Sequence, residues 1–165
     1  WCYVSGAPDR HEIFGWLQVG EVLRVGKKTD EFSERYPWLA RHPHLNGERS
    51  GSNTIYVASQ TLKLPGQSQL GRFAGGGAFG CVSDARTLSV PDQSSRSLWQ
   101  IPAFFAPSAD GRGLSYHGDL ARWKPADDGW FQLHSVAKGQ EFVLDCRNKE
   151  ADTTQIQSWL ESVFQ

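Results

Sequence analysis

The chain has 165 residues, enough for one domain, and its formal net charge of −1 gives no overall field toward DNA or an anionic membrane. Apolar residues make up 39% and charged residues 21%, which is typical of a folded protein and excludes a largely disordered one. Seven Trp and nine Phe can build a core or line a pocket for a flat ligand.

Charge is unevenly distributed along the chain. Residues 61–124 carry seven Lys and Arg against four Asp and Glu, whereas residues 125–165 carry three against seven. A basic middle and an acidic end permit a local anion-binding face without requiring one.

Three cysteines, Cys2, Cys81 and Cys146, lie far apart and form no CxxC motif. This spacing does not suit a disulfide framework or a zinc knuckle, and it favours a reducing compartment. The chain shows no signal-peptide pattern and no apolar run close to the roughly 18 residues of a membrane span. The sequence therefore predicts a cytoplasmic protein without membrane contact. Because it contains no Met, we also expect it to be the later part of a longer gene product.

The first half of the chain predicts short strands separated by turn-rich segments. Residues 13–25 are apolar and β-branched, which indicates a strand that is bent or bulged at its glycines. A weak helix is expected near residues 31–39, and a strand over residues 54–59 with an extension at residues 62–65. The many glycines of residues 66–80 indicate a loop.

The second half predicts further strands and one hairpin. Gly139 lies in the turn of this hairpin, between two runs of apolar and β-branched residues. The expected strands span residues 87–90, 97–101, 114–117, 130–136 and 140–145.

The end of the chain predicts an amphipathic helix, which Asp152, Thr153 or Thr154 can cap. Its apolar residues recur at helical spacing and form one stripe, Ile156, Trp159, Leu160, Val163 and Phe164. The expected fold is a single β-rich α+β domain over residues 1–165. It contains one mixed or antiparallel sheet or barrel, against which the C-terminal helix packs.

The segment RHPHLN holds His42 and His44 on either side of Pro43. In an extended backbone, which the proline favours, residues i and i+2 point the same way, so the two imidazoles can converge. A zinc or iron site needs at least three ligands, and no nearby Cys, Asp or Glu completes the set. We predict no metal here and leave open a metal-free polar site and a structural turn.

Other segments carry groups suited to a nucleotide. Asn53 precedes a strand and offers an amide that can read a base edge, although Asn is also common in turns. Ser95 and Arg96 resemble a phosphate clamp, but they also suit an exposed loop. Arg122 and Trp123 combine a cation with a π face, unless Trp123 belongs to the core.

Tyr116 and His117, at the end of an expected strand, form a candidate acid–base pair. The letters of a dinucleotide-binding fingerprint also occur at Gly75, Gly77 and Gly80. No strand–turn–helix context surrounds these glycines, so the fingerprint is not adopted.

Five ordered blocks over nearly the whole chain together resemble one protein family. They are IFGWLQVGEV at 13–22, RHPHLN with NTIYVAS at 41–59, SRSLWQIPAFFAP at 95–107, LSYH with RW at 114–123, and GQEFVLDCRN at 139–148. This set is similar to the nucleotide-modification-associated domain family of the third type, found in phages and bacteria. The resemblance implies a role in DNA base modification or its recognition, no established reaction, and a further segment upstream of Trp1.

A second resemblance concerns architecture alone. The aromatic strand followed by a GW-φ-x-V strand is similar to PUA-like barrels of the EVE and ASCH kind, which bind nucleotides or modified bases. Fold similarity by itself does not establish function.

These observations predict a domain that recognises a nucleotide or modified base through an aromatic and polar cleft, with nucleic acid or a nucleotide as partner. Aromatic rings stack on the base, amide and imidazole groups read its edges, and guanidinium groups meet phosphate. The residues assigned to this cleft are Trp16, Asn53, Ser95, Arg96, Arg122 and Trp123. Two alternatives stay open: a metal-free or metal-dependent base-modifying enzyme that uses His42, His44 or His117, and a non-catalytic structural or interaction domain. The sequence identifies no cofactor.

Overall fold

The computed structural model describes residues 9–26, 32, 34–43, 51–108, 113–136, 142–146 and 152–165. By its contacts the chain divides into two units. The first comprises residues 1–14, 63–70 and 78–165, and the second comprises residues 15–62 and 71–77. That the chain forms a single domain stays a prediction.

The second unit contains the bent strand that the sequence predicts over residues 13–25. It forms β1 (Gly15–Leu17) and β2 (Val19–Leu23), and β2 pairs antiparallel with β3 (Ile55–Ala58). The register shifts between Val19 and Glu21, where a Cβ on Gly20 would lie 2.7 Å from the Cα of Ser59. The bulge at a glycine is therefore confirmed, because a side chain would prevent this approach of the two backbones.

The glycine-rich segment 66–80 is not the loop that its composition predicts. It contains a 3₁₀ helix at Ser68–Arg72 and a strand, β4 (Gly76–Ala78), which pairs with β1. A Cβ on Gly75 would lie 2.1 Å from the carbonyl oxygen of Ser59. These glycines allow close packing against neighbouring backbone, so their composition indicated a loop where tertiary contacts form a strand.

The core of the second unit is small and apolar. The 3₁₀ helix Pro37–Arg41 contributes Leu39 to it. Of the helix expected near residues 31–39, Phe32 is helical, and residues 31 and 33 lie outside the described residues. Glu21 of β2 accepts hydrogen bonds from Arg35 at 2.9 Å and from the Tyr36 hydroxyl at 2.5 Å, which fixes this segment to the sheet. The buried core residues are Leu23, Val25, Leu39 and Ile55.

In the first unit, β5 (Leu98–Pro102), β6 (Trp123–Pro125) and β7 (Trp130–His134) form an antiparallel sheet in the order β5-β7-β6. The strands predicted at residues 97–101 and 130–136 are confirmed. β6 was not predicted, because three residues are too short to show an alternating pattern. Trp99 and Trp123 both pair with Leu133, so one face of the sheet is apolar.

Three predicted strands are wrong. Residues 87–90 and 114–117 make isolated bridges, and so do residues 62–65. Their side chains alternate in polarity, but each backbone turns away before it can pair with a neighbour over several residues. The predicted hairpin turn at residues 137–139 lies outside the described residues.

The predicted terminal helix is confirmed as α1 (Thr153–Val163), with Asp152 as its N-cap residue. Ile156 is buried in the core of the first unit, and Trp159 and Leu160 pack against that core. The described chain is thus a β-rich α+β fold with small sheets and a C-terminal helix. The buried core residues of the first unit are Leu88, Trp99, Ile101, Phe104, Phe105, Leu114, Trp123, Leu133 and Ile156.

Candidate functional site

Tyr116 and His117 lie in a turn of the first unit and not at the end of a strand. Tyr116 has a φ of 65°, which is uncommon for a residue with a side chain, and it is 70% exposed. His117 is buried, with 1% of its surface exposed, and its backbone N–H donates to the carbonyl of Leu114 at 3.2 Å. This turn replaces the strand that the sequence predicts.

Both ring nitrogens of His117 contact the backbone. Nε2 accepts from the N–H of Val136 at 3.3 Å, so Nδ1 carries the proton and donates to the carbonyl of Ser115 at 2.7 Å. Burial lowers the pKa of His117 and outweighs the opposing effect of the Ser115 hydrogen bond. The geometry favours a structural imidazole that holds the turn, and catalysis by this residue stays a prediction.

Trp123 belongs to the core and not to an open binding face. Its side chain is 6% exposed, and its indole N–H donates to the carbonyl of His117 at 2.8 Å. This burial favours the alternative that Trp123 belongs to the core, and its stacking on a base stays a prediction. Arg122, beside it, donates to the carbonyl of His134 at 3.2 Å and lies 3.9 Å from a carboxylate oxygen of Asp119.

Arg96 is held by a carboxylate, which the sequence did not predict. Its Nη1 donates to Asp9 at 2.7 Å, so a phosphate would have to compete with that carboxylate. Ser95 is exposed, and its carbonyl accepts from the N–H of Leu98 at 3.2 Å. The predicted phosphate clamp at Ser95 and Arg96 stays a prediction.

His11 also lies in the first unit, and its hydrogen bond with Trp99 was not predicted from the sequence. Its Nδ1 accepts from the indole N–H of Trp99 at 2.9 Å, and its backbone N–H donates to Ser89 Oγ at 2.8 Å. Burial and, to a smaller extent, the Arg96 charge lower the pKa of His11. No spacing in the sequence indicates this pairing, because His11 and Trp99 are distant along the chain.

Trp16, in the second unit, contacts the glycine-rich strand. Its indole N–H donates to the carbonyl of Ala74 at 2.9 Å. A Cβ on Gly77 would lie 2.6 Å from Cη2 of the same ring. The ring therefore packs on the backbone at Gly77, which favours a structural role over the predicted stacking on a base.

His42 and Asn53 also belong to the second unit. The His42 ring lies edge-on to Trp38, with ring centroids 6.0 Å apart, and Trp38 is 49% exposed. The carbonyl of Asn53 accepts from the N–H of Gly26 at 3.0 Å. His44 lies outside the described residues.

The predicted site residues are thus divided between the two units. The second unit holds Trp16, His42 and Asn53, and the first holds Ser95, Arg96, Tyr116, His117, Arg122 and Trp123. That they share a single hollow stays a prediction.

A cleft of about 390 Å³ lies in the first unit and is lined by α1 and by residues at the Pro102 and Trp130 ends of β5 and β7. We call it the Trp130–Trp159 cleft. Trp130 is 39% exposed and makes no ring contact with another described aromatic residue. Trp159 contacts Phe105 edge-on, with centroids 5.0 Å apart, so its position is fixed by packing. The cleft is open to solvent over much of its surface.

Polar side chains complete the lining of the Trp130–Trp159 cleft. Thr154, Gln155 and Ser158 of α1 line it and are exposed. Among the described residues, none of these three side chains has a hydrogen-bond partner, and neither indole N–H has one. A smaller hollow of about 110 Å³ is lined by four of the same residues and also by Asp84 and Gln100. The cleft therefore combines aromatic surface with donors and acceptors that are not used within the described fold.

Comparison with known proteins identifies the family. The family model described as nucleotide modification associated domain 3 matches residues 2–145, most of the chain. The chain belongs to this family. No curated protein and no solved structure matches it significantly. The predicted family is confirmed, and the resemblance to PUA-like barrels is not confirmed.

Membership in the nucleotide modification associated domain 3 family links the chain to nucleotide modification. In the described part of this family member, no group of three or more His, Cys, Asp or Glu side chains could hold a metal ion. None of its described helices has the length and apolar character needed to cross a membrane.

Sequence reasoning did not assign Trp130 or Trp159 to a site. Trp130 reads as the first residue of a strand and Trp159 as part of a helical stripe. Neither pattern distinguishes an aromatic residue that lines a cleft from one in a core.

Proposed function

We propose that this domain recognises a nucleobase, which it stacks in the Trp130–Trp159 cleft. The observation that carries the proposal is that two tryptophans from different elements line one cleft of about 390 Å³ beside polar groups without partners in the described fold. Membership in the nucleotide modification associated domain 3 family supports a base as the ligand.

Stacking supplies the affinity in this proposal. A base has a flat π surface, and stacking on an aromatic side chain contributes roughly 1–3 kcal/mol per base. Trp130 begins β7, whose backbone is paired with β5, and Trp159 packs against Phe105. Because the Trp159 ring is held by this packing, little ordering of that ring is needed when the base enters.

Hydrogen bonds supply the orientation. The Gln155 amide offers both a donor and an acceptor, and the Thr154 and Ser158 hydroxyls offer both as well. A base edge presents the same kinds of group. The kind of cleft predicted from the sequence, aromatic and polar, is retained in this proposal with a different set of residues.

The test is isothermal titration calorimetry of the protein with adenosine, guanosine, cytidine and thymidine and with their 5′-monophosphates. We expect at least one of these to bind, and Trp130→Ala to weaken that binding by roughly 5- to 150-fold, the equivalent of one lost stack. Trp130→Phe keeps an aromatic face and should retain most of the affinity. Thermal unfolding of each variant checks that the fold is kept.

The matched control is Trp38→Ala, which removes a tryptophan of similar exposure from the second unit. It should leave the dissociation constant unchanged. If Trp38→Ala weakens binding and Trp130→Ala does not, base recognition belongs to the surface near His42. If none of the eight compounds binds, the proposed function is wrong.

A further inference from the structure

We infer that the Trp130–Trp159 cleft takes an uncharged base or nucleoside and disfavours nucleotides that carry phosphate. This inference rests on the proposed function and names the class of ligand. It follows from the charges that surround the cleft.

Among the residues that the structure describes, no lysine or arginine lines the Trp130–Trp159 cleft or the smaller adjoining hollow. Asp84 lines the smaller hollow. Asp127 and Asp128 are exposed in the turn that precedes Gly129 and Trp130, and they form no ion pair with any described residue. Carboxylates therefore occupy the surroundings of the cleft where a phosphate-binding site would place cations.

The cation that contacts Asp84 is already shared with a second carboxylate. Arg10 Nη1 lies 3.9 Å from Asp84, and Arg10 Nε lies 3.7 Å from Glu12. One exposed guanidinium between two carboxylates leaves a net negative charge at this edge. The sequence shows the same excess, since residues 125–165 carry four more acidic than basic residues.

The N-terminus of α1 is a smaller, opposing contribution. Thr154 and Gln155 lie in its first turn, where a helix presents a partial charge of roughly +0.5. Asp84, Asp127, Asp128 and Glu12 carry four negative charges, which exceed this partial charge together with the guanidinium charges of Arg10 and of Arg86 at the other end of α1. A nucleoside monophosphate, with close to two negative charges at neutral pH, is therefore repelled, whereas a nucleoside is not.

The experiment compares each nucleoside with its own 5′-monophosphate at about 10 mM and about 300 mM salt, because screening separates charge from shape. We expect the nucleoside to bind at least about fivefold more tightly at low salt. The difference should shrink at high salt, since the Debye length then falls below about 10 Å.

The decisive variant is the double substitution Asp127→Asn and Asp128→Asn. It should strengthen binding of the monophosphate several-fold at low salt and leave binding of the nucleoside unchanged. Asp92→Asn is the matched control, because Asp92 is an exposed turn residue that lines neither hollow and tolerates asparagine at its φ of 58°.

A monophosphate that binds as tightly as its nucleoside at low salt would overturn the inference and leave base recognition standing. Failure of both compounds to bind in a Trp130-dependent manner would overturn the proposed function as well. If the double variant changes nucleoside and monophosphate binding equally, the two carboxylates act through the fold and not through charge, and the inference is wrong.

Discussion

Trp16 and Trp130 differ in what their rings contact, although the sequence alone favours Trp16 as a ligand contact. The Trp16 ring lies on the backbone at Gly77, and its N–H is bonded to Ala74. The Trp130 ring lines a cleft and makes no ring contact with another described aromatic residue. At the scale of the residue, the Trp16 ring can pack on the backbone because Gly77 has no Cβ, whereas the Trp130 ring stays accessible in its cleft.

Gly77→Ala should destabilise the second unit, since the new methyl group would lie 2.6 Å from the Trp16 ring. We expect a loss of about 1–3 kcal/mol in the free energy of unfolding, the usual cost of overpacking. Chemical denaturation measures it. Gly71→Ala is the control, because a Cβ there meets no atom within 4 Å. Equal stability of the two variants would show that the Trp16 ring moves aside.

Helix α1 is fixed at its C-terminal end by a buried arginine from another segment. Arg86 Nη1 donates to the carbonyl of Val163 at 2.9 Å, and its guanidinium lies 4.6 Å from the centre of the Phe79 ring. Arg86 Nη2 donates to the carbonyl of Cys81 at 3.2 Å. A cation at this position compensates the partial negative charge of the helix terminus. At the scale of the element, α1 is thus positioned by a polar anchor as well as by its apolar stripe.

Arg86→Met should loosen the last turn of α1 and lower the free energy of unfolding by about 1.5–3 kcal/mol, the usual range for a charged hydrogen bond. Faster amide hydrogen exchange at Val163 and Phe164 would report the loosening. Arg72→Met is the control, because Arg72 is exposed and should change stability by about 0.5 kcal/mol or less. Unchanged exchange at the helix terminus would contradict the anchoring role.

Two histidines contact Trp99 in the first unit, and the hydrogen bonds that both rings accept favour their neutral form. His11 accepts the Trp99 N–H through Nδ1, and the His117 ring lies 5.5 Å from the Trp99 ring centre. A proton on His11 Nδ1 or on His117 Nε2 would face an N–H donor. Burial accordingly lowers both pKa values, while Asp9 acts in the opposite direction on His11 and Arg122 adds to the lowering on His117. Folding of the first unit is therefore linked to proton release.

Stability should fall as the pH drops below about 6.5, the ordinary histidine value. The unfolded chain begins to bind protons there, whereas the folded chain, with lowered pKa values, does not. The free energy of unfolding therefore has its full value above pH 6.5. Below pH 6.5 it decreases by at most about 1.4 kcal/mol per pH unit for each histidine. Denaturation at several pH values measures the slope, which His117→Asn should reduce. A slope that is the same in this variant would show that other groups cause it.

Local patterns in the sequence were sufficient for part of the fold and for the family. The terminal helix, the bulged strand and the strands near residues 55, 98 and 130 are confirmed, because apolar periodicity and glycine position act over neighbouring residues. The five ordered blocks likewise identify the family, which the match over residues 2–145 confirms.

The tertiary structure alone decided which aromatic residues are buried and which line a cleft. Trp123 and His117 are enclosed by residues distant in the sequence, and a run of glycines forms β4 because neighbouring backbone leaves no room for side chains. The Trp130–Trp159 cleft exists because α1 and the β5–β7 sheet come together. The sequence of neither element predicts that it packs beside the other. Periodicity specifies an element and its apolar face, but burial depends on what that face meets when the chain folds.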